Sequence, residues 1–208
     1  MAELDEFKEL KERGLNRILG LSDGIFAFAI TLMVLDLVVP VMGPHQDLSA
    51  LPSLLAGEWV GFINYFLSFA IIAIWWNAHH RNFEYINGYD GVLKVMNLFV
   101  LLAITLVPFF TKLLDIWIPG PFATALYALD QGLAGSFLAL TWRHAAKNHR
   151  FIDARVDQRV VDRIRVTAYI TPLLFFASIP LCFVFPGLGP LSWYAIAPAT
   201  LLIRRRYR

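Results

Sequence analysis

Six apolar stretches, at roughly 18–39, 59–78, 92–114, 122–142, 164–185 and 188–203, run along this 208-residue chain. A helix that crosses the hydrocarbon of a bilayer needs about 20 mostly apolar residues. The last stretch is the shortest and carries Pro198. Inside a bilayer the backbone must satisfy its own hydrogen bonds, so such stretches fold as helices. The expected fold is an all-α membrane protein with six transmembrane helices, forming a single domain over residues 1–208. Composition agrees: 58% of residues are hydrophobic and only 16% charged, against about 45–50% and about 25% in a soluble domain. Pro108, Pro172 and Pro180 are expected to kink helices rather than end them, because neighbouring helices can satisfy the freed carbonyls.

The basic residues fix an orientation. With the N-terminus in the cytoplasm, the inner segments carry Lys8, Lys11, Arg13 and Arg17; Arg81 and Lys94; Arg143, Lys147, Arg150, Arg155, Arg159, Arg163 and Arg165; and Arg204, Arg205, Arg206 and Arg208. Of the 18 basic residues, only Lys112 falls outside. Such a bias is the positive-inside rule, and a miscounted helix would destroy it. The chain is therefore predicted to lie in the cell membrane with both termini cytoplasmic. Its first residues lack the apolar core of a secretory signal, so the first apolar segment is expected to remain as an anchor.

Two connections have character of their own. Residues 40–58 hold no Lys or Arg, and Leu48, Leu51, Leu54 and Leu55 predict a short helix on the outer surface. In residues 144–165 the spacing of Ile152, Val156, Val160 and Ile164 predicts a helical extension of the fifth span. It would carry Arg155, Arg159 and Arg163 on one face, toward anionic lipid.

Charge at the first span points to function. Arg17, Ser22 and Asp23 lie at its cytoplasmic mouth, and an acid inside a membrane helix faces protein or water. Partners at matching depth are His79 or His80, ending the second span, and Asn97, one turn into the third. A polar cluster of Arg17, Ser22, Asp23, these histidines and Asn97 is predicted to clamp helices one to three. Beyond Asp23, Phe28, Thr31, Leu32 and Leu35 follow helical spacing and share a face.

These residues carry a resemblance. Arg17-x-x-x-Leu21-Ser22-Asp23-Gly24, followed by the apolar run to Asp36, resembles the first-helix signature of the lysosomal potassium channel family (transmembrane protein 175 type), in its prokaryotic six-helix form. Trp76-Asn-Ala-His79-His80 is similar to the segment ending its second helix, and Asn97 with Pro108-Phe109 to its third. The resemblance covers residues 17–110; the second half matches only in helix count. Leu21 stands where the family usually has Phe, and Phe28 where it has Ile or Leu.

The resemblance implies a potassium-permeable cation channel without a Thr-Val-Gly-Tyr-Gly carbonyl filter, potassium being the permeant ion. Helix one of each subunit would line the pore, with Phe28, Leu32 and Leu35 as a hydrophobic constriction and Thr31 as the hydroxyl beside it. The chain holds one copy of the signature, so it would assemble as a homotetramer.

A rival reading is an ion- or proton-coupled transporter that uses Asp23, His79/His80 and Asp130 as a relay. Asp130, mid-way along the fourth span, either belongs to such a pathway or pairs with Gln131, Thr141 or a neighbour's hydroxyl. Adjacent helical histidines point about 100° apart, so His79 and His80 do not form a chelate, and no tightly bound metal or other cofactor is expected. Cys182 is the sole cysteine, which excludes an internal disulfide. Asp36, Asp47, Glu58 and Asp115 fall at the outer side as solvated acids. Trp59, Trp75, Trp76, Trp117 and Trp193 fit interfacial belts. No nucleophile–base pair supports an enzyme and no module supports nucleic-acid binding; the expected partners are lipids and further copies of the chain.

Overall fold

The structure is a computed structural model that describes residues 2–41, 47–117 and 120–206. Arg208 and the side chains of Lys8, Asp36, Leu48, Trp117, Arg204 and Arg206 lie outside the described residues. The described chain forms α1 (Ala2–Leu32), α2 (Leu51–Gly57), α3 (Trp59–Phe83), α4 (Gly91–Trp117), α5 (Pro121–Ala146), α6 (Gln158–Val184), α7 (Leu188–Trp193) and α8 (Ile196–Arg206). Among the described residues, four segments are long and apolar enough to cross a membrane: Glu9–Leu35, Gly61–Phe83, Gly91–Ile116 and Gln158–Val184.

α5 has the length of a span but a different composition, for a physical reason. Its neighbours are α4 and α6, and Thr124, Asp130, Gln131 and Thr141 are buried with its alanines. A helix surrounded by protein can hold polar groups that lipid would not solvate. At Gly135 a side chain would meet Trp75 and Pro172, so the small residue permits close crossing of helices.

The first apolar segment ends earlier than its composition suggests. α1 stops at Leu32, a 3-10 turn follows over Met33–Asp36, and Leu37 is extended. Val38 and Val39 are β-branched, and Pro40 holds the residue before it out of the α region. In the other direction α1 runs back to Ala2, well before the apolar stretch. Pro108, Pro172 and Pro180 lie inside continuous helices.

The sixth apolar segment is broken. α7 has 6 residues and α8 has 11. Pro198 lies in the first turn of α8, where its missing N–H cannot continue the ladder from Tyr194. Leu51–Gly57 is helical, as the leucine spacing predicted.

The extension expected over 144–165 is corrected. Residues 147–149 make a 3-10 turn, with Asn148 and His149 at φ 56 and 50, and helix resumes only at Gln158. The Asp157 side chain caps α6 through the Arg159 N–H. Arg155 therefore shares no helical face with Arg159 and Arg163. It forks onto Asp153 at 2.6 Å, and that guanidinium holds the Asp153 carboxyl down at about 2.

Among the described residues, two cores stabilise the bundle. The larger joins Phe26, Ala29 and Met33 of α1 to Ile72 and Trp75 of α3, to α4 through Val100, Ile104 and Val107, and to α5 through Tyr127 and Leu138. The smaller lies at the basic end, around Leu15, Phe83, Ile86, Leu93, Trp142, Ile152 and Ile164. There the 84–90 loop meets the 147–157 loop: Ile86 and Ile152 form an isolated bridge, and the Asn87 N–H donates to the Phe151 carbonyl at 2.9 Å.

Candidate pore helix

Helix α1 has two unlike sides. Leu15, Ser22, Phe26, Ala29 and Met33 are buried, Phe26 to 1% and Met33 to 2% exposure, against α3 and α4. Their spacing is that of one helical face. The opposite side, from Arg17 through Gly20, Leu21, Gly24, Ala27, Phe28 and Thr31 to Leu35, is exposed. Phe28 is 60% and Leu35 73% exposed. Leu32 is half-buried on the shoulder between the two sides.

The end of the α-helix at Leu32 changes one relation. Leu35 lies in the 3-10 turn, where residues three apart eclipse one another, so it stacks over Leu32 rather than following an α-helical stagger. The Thr31 hydroxyl donates to the Phe28 carbonyl at 2.9 Å, leaving its lone pairs outward.

Polar contacts set the rotation of α1. Asn97 of α4 donates its amide to Ser22 Oγ at 3.0 Å and accepts from His79 Nε2 of α3 at 2.8 Å. Ser22 in turn donates to the Ile18 carbonyl at 2.9 Å. Phe26 and Phe83 pack on the His79 ring at centroid distances of 5.5 and 4.4 Å. The structure thus brings Ser22, His79 and Asn97 into one buried chain across three helices.

Asp23 does not join that chain. It accepts from the indole N–H of Trp76 at 2.9 Å, and His80 stacks on the same indole at 5.3 Å. His80 also lies 3.6 Å from Glu84. Arg17 is exposed on the other flank of the helix and takes no part in either group. The expected single cluster is therefore two groups and an outlying arginine. Neither Trp75 nor Trp76 serves as a free interfacial anchor. Trp75 is buried and donates to Gln131 at 2.6 Å, and Gln131 donates to Asp130 at 3.1 Å. Of the partners weighed for Asp130, Gln131 is the one observed; Thr141 donates to its own helix at Phe137. Trp193 is half-buried against Tyr127 and Phe175, with its N–H on Ser178.

One residue group absent from the sequence reading stands at the basic end. Asp90 caps α4 by accepting the Leu93 N–H at 2.8 Å. It also accepts from His144 at 2.8 Å and Arg150 at 3.3 Å. Burial alone would raise the Asp90 carboxyl, but the Leu93 N–H, His144 and Arg150 outweigh it and hold it below the ordinary range. The available signal was the Tyr-Asp-Gly turn just before a helix, an N-cap pattern.

The recesses are shallow. A trough of about 630 Å³ on the flank of α4 is lined by Val92, Val95, Met96, Phe99 and Phe137. Among the described residues no group of three or more His, Cys, Asp or Glu could hold a metal.

Comparisons with known proteins bear on this arrangement. A family model described as the endosomal/lysosomal potassium channel TMEM175 matches residues 17–108. A potassium channel of Chamaesiphon minutus is 34% identical over 185 residues, spanning 86% of this chain and 88% of its own. A potassium channel of Streptomyces collinus is 34% identical over 174 residues, spanning 81% and 82%. Among solved structures, the crystal structure of a lysosomal potassium-selective channel TMEM175 homologue from Chamaesiphon minutus matches with a TM-score of 0.73 at 27% identity. That match covers 95% of this chain and 100% of the other.

Proposed function

The chain belongs to the TMEM175 family, whose members are ion channels and not enzymes, and on that premise we propose that it is a potassium-permeable cation channel whose pore is lined by α1. The relatives that carry the name potassium channel support the ion. The observation that carries the pore-lining part is the two-sidedness of α1: a buried face fixed by Phe26 and Met33, and an exposed face bearing Phe28, Thr31 and Leu35. One such helix encloses nothing, so the reading requires several copies around an axis, and closed cyclic symmetry is the usual solution. A homotetramer is the assembly we assign.

In that assembly Phe28, Leu32 and Leu35 form a hydrophobic neck, and Thr31 supplies a ring of hydroxyls beside it. Such a neck gates by dewetting. An ion passing through it loses water, and potassium gives up water at lower cost than sodium, so a modest potassium preference follows without a carbonyl cage. Ser22, Asp23, His79, His80 and Asn97 act at a distance from the ion by fixing the rotation of α1. The chain acts as one domain of six spans in the cell membrane, with α5 as the protein-enclosed span and α7–α8 as the broken sixth. Both termini are cytoplasmic, as the basic residues indicate. Lipids surround it and no cofactor is needed.

Reconstitution tests the reading. Liposomes holding the channel under a potassium gradient should develop a potential that follows the Nernst relation. Flux driven by a pH gradient without that potential would favour the coupled transporter instead. Against the transporter stands the separation of its relay groups: Asp23 on Trp76, His79 on Asn97, and Asp130 on Gln131 are distinct hydrogen-bonded sets.

A further inference from the structure

Gly14 is a poor residue for the interior of a helix, where it is less favourable than alanine. α1 nonetheless runs through it without a break. The reason lies across the interface. A Cβ at Gly14 would overlap the hydroxyl end of Tyr89, so the glycine is the seat of that ring. Tyr89 belongs to the 84–90 loop, and nothing in the polar chain at Ser22 touches it.

That loop is held from the other side. The next residue, Asp90, receives the Leu93 N–H, His144 and Arg150 together. Lys94 Nζ lies 5.8 Å from the centre of the Tyr89 ring. Asn87 is bonded to Phe151, and Phe151 in turn rests on Gly88. The C-terminal end of α5, the 147–157 loop, the N-terminus of α4 and the seat on α1 are thus one mechanical chain. A charged joint in it is Asp90, whose side chain is 31% exposed, beside His144 at 17%.

We propose that Asp90 is a positioning residue for the pore helix: with His144 and Arg150 it locks the 84–90 loop, and Tyr89 transmits that lock to α1 through the Gly14 seat, biasing the open–closed equilibrium. The inference rests on the pore-lining reading for its effect on conduction, but not for the mechanical link itself. The joint lies outside the neck, so it changes how often the pore opens and leaves what passes through unchanged. Phe28, Leu32 and Leu35 set the unitary conductance; Asp90, Tyr89 and Gly14 set the occupancy of the conducting state.

The variants are mild by design. Asn caps helices as well as Asp, so Asp90→Asn keeps the Leu93 bond while turning the oxygen that accepts from His144 and Arg150 into an NH2 donor. Arg150→Gln unlocks the same joint from its exposed partner. Gly14→Ala displaces Tyr89, the far end of a flexible side chain, and favours the helix. Two readouts on the full-length reconstituted channel test the proposal. In hydrogen exchange, Asp90→Asn and Arg150→Gln should speed exchange of α1 amides around Gly14, a segment neither residue touches. In single-channel recording, each of the three variants should shift the open-to-closed ratio by about two- to fivefold, the range of a partly exposed ion pair, with unitary conductance and reversal potential unchanged. Because Asp90 and Gly14 act in one chain, the double variant should shift it no more than the larger single change. Unchanged exchange near Gly14, an unchanged open-to-closed ratio, or additive effects in the double variant would each overturn the proposal. Failure of the pore reading has a different mark, an unaltered unitary conductance in Leu35→Ala.

Discussion

The indole N–H of Trp76 donates to the carboxylate of Asp23 across 2.9 Å, which ties the flank of α1 to α3 at the depth where the apolar stretch begins. The neighbouring indole, Trp75, turns inward to Gln131 at 2.6 Å. Two adjacent tryptophans on α3 therefore join it to α1 on one side and to α5 on the other.

Removing the Asp23 acceptor frees α1 to rotate. Within a bilayer an interhelical hydrogen bond is worth about 0.6 kcal/mol on average and about 1.7 at most. Trp76→Phe should lower stability by about that amount, and Asp23→Ala should also weaken assembly. Thermal unfolding in detergent and size-exclusion chromatography measure both. Normal yield, assembly and conduction in Asp23→Ala would contradict a clamping role.

The buried Ser22–Asn97–His79 chain should be more sensitive. Asn97→Leu strands a His79 ring nitrogen away from water and takes from Ser22 Oγ the N–H it accepts, leaving only its bond to Ile18. A stranded buried polar group costs about 1–3 kcal/mol. Ser22→Ala removes two bonds, one of them to its own helix at Ile18, and strands only one Asn97 donor. Unfolding midpoints should therefore fall in the order wild type, Ser22→Ala, Asn97→Leu; the reverse order would mean the chain does not hold the helices.

Asp130 separates channel from relay. Its carboxylate is buried and bonded to Gln131, so Asp130→Asn should keep the contact and leave potassium flux unchanged. A relay predicts instead that the variant abolishes transport, which a liposome flux assay would register directly.

The Asp90 joint predicts an acid-sensitive stability. Its carboxyl titrates lower in the fold than the ordinary value of about 4 in an unfolded chain. Its contribution is therefore complete above that ordinary value and is lost as pH falls through the lower native one. Between pH 6 and pH 3 the unfolding temperature of the parent should drop more than that of Asp90→Asn. Parallel curves would remove Asp90 from the account.

The sequence was most readable where one physical constraint dominates. Apolar length placed the cores of the helices, and helical spacing plus depth found Ser22, His79 and Asn97 as partners before any contact was visible. It was least readable where side chains choose between neighbours. Trp75 and Trp76 have the composition of an interfacial belt, yet their N–H groups find acceptors on other helices, the buried Gln131 and the exposed Asp23. Arg17 and Asp23 sit six residues apart but on different flanks, which spacing alone does not turn into a pair. Of the helix ends, the break near Pro198 is foreshadowed by the short last stretch that carries it, whereas the stop after Leu32, ahead of Val38-Val39-Pro40, is not marked by apolar length. Asp90 does not stand out in the sequence because a lone acid before a helix is ordinary; its weight comes from His144 and Arg150, which are more than fifty residues away.

If the exposed face of α1 is the wall of the pore, potassium flux through Leu35→Ala and Phe28→Ala channels shows it most directly. Shortening a side chain that forms the neck widens and wets it, so unitary conductance should rise and potassium preference over sodium should fall, while assembly stays normal. Unchanged conductance and unchanged selectivity in both variants, with normal assembly, would contradict it.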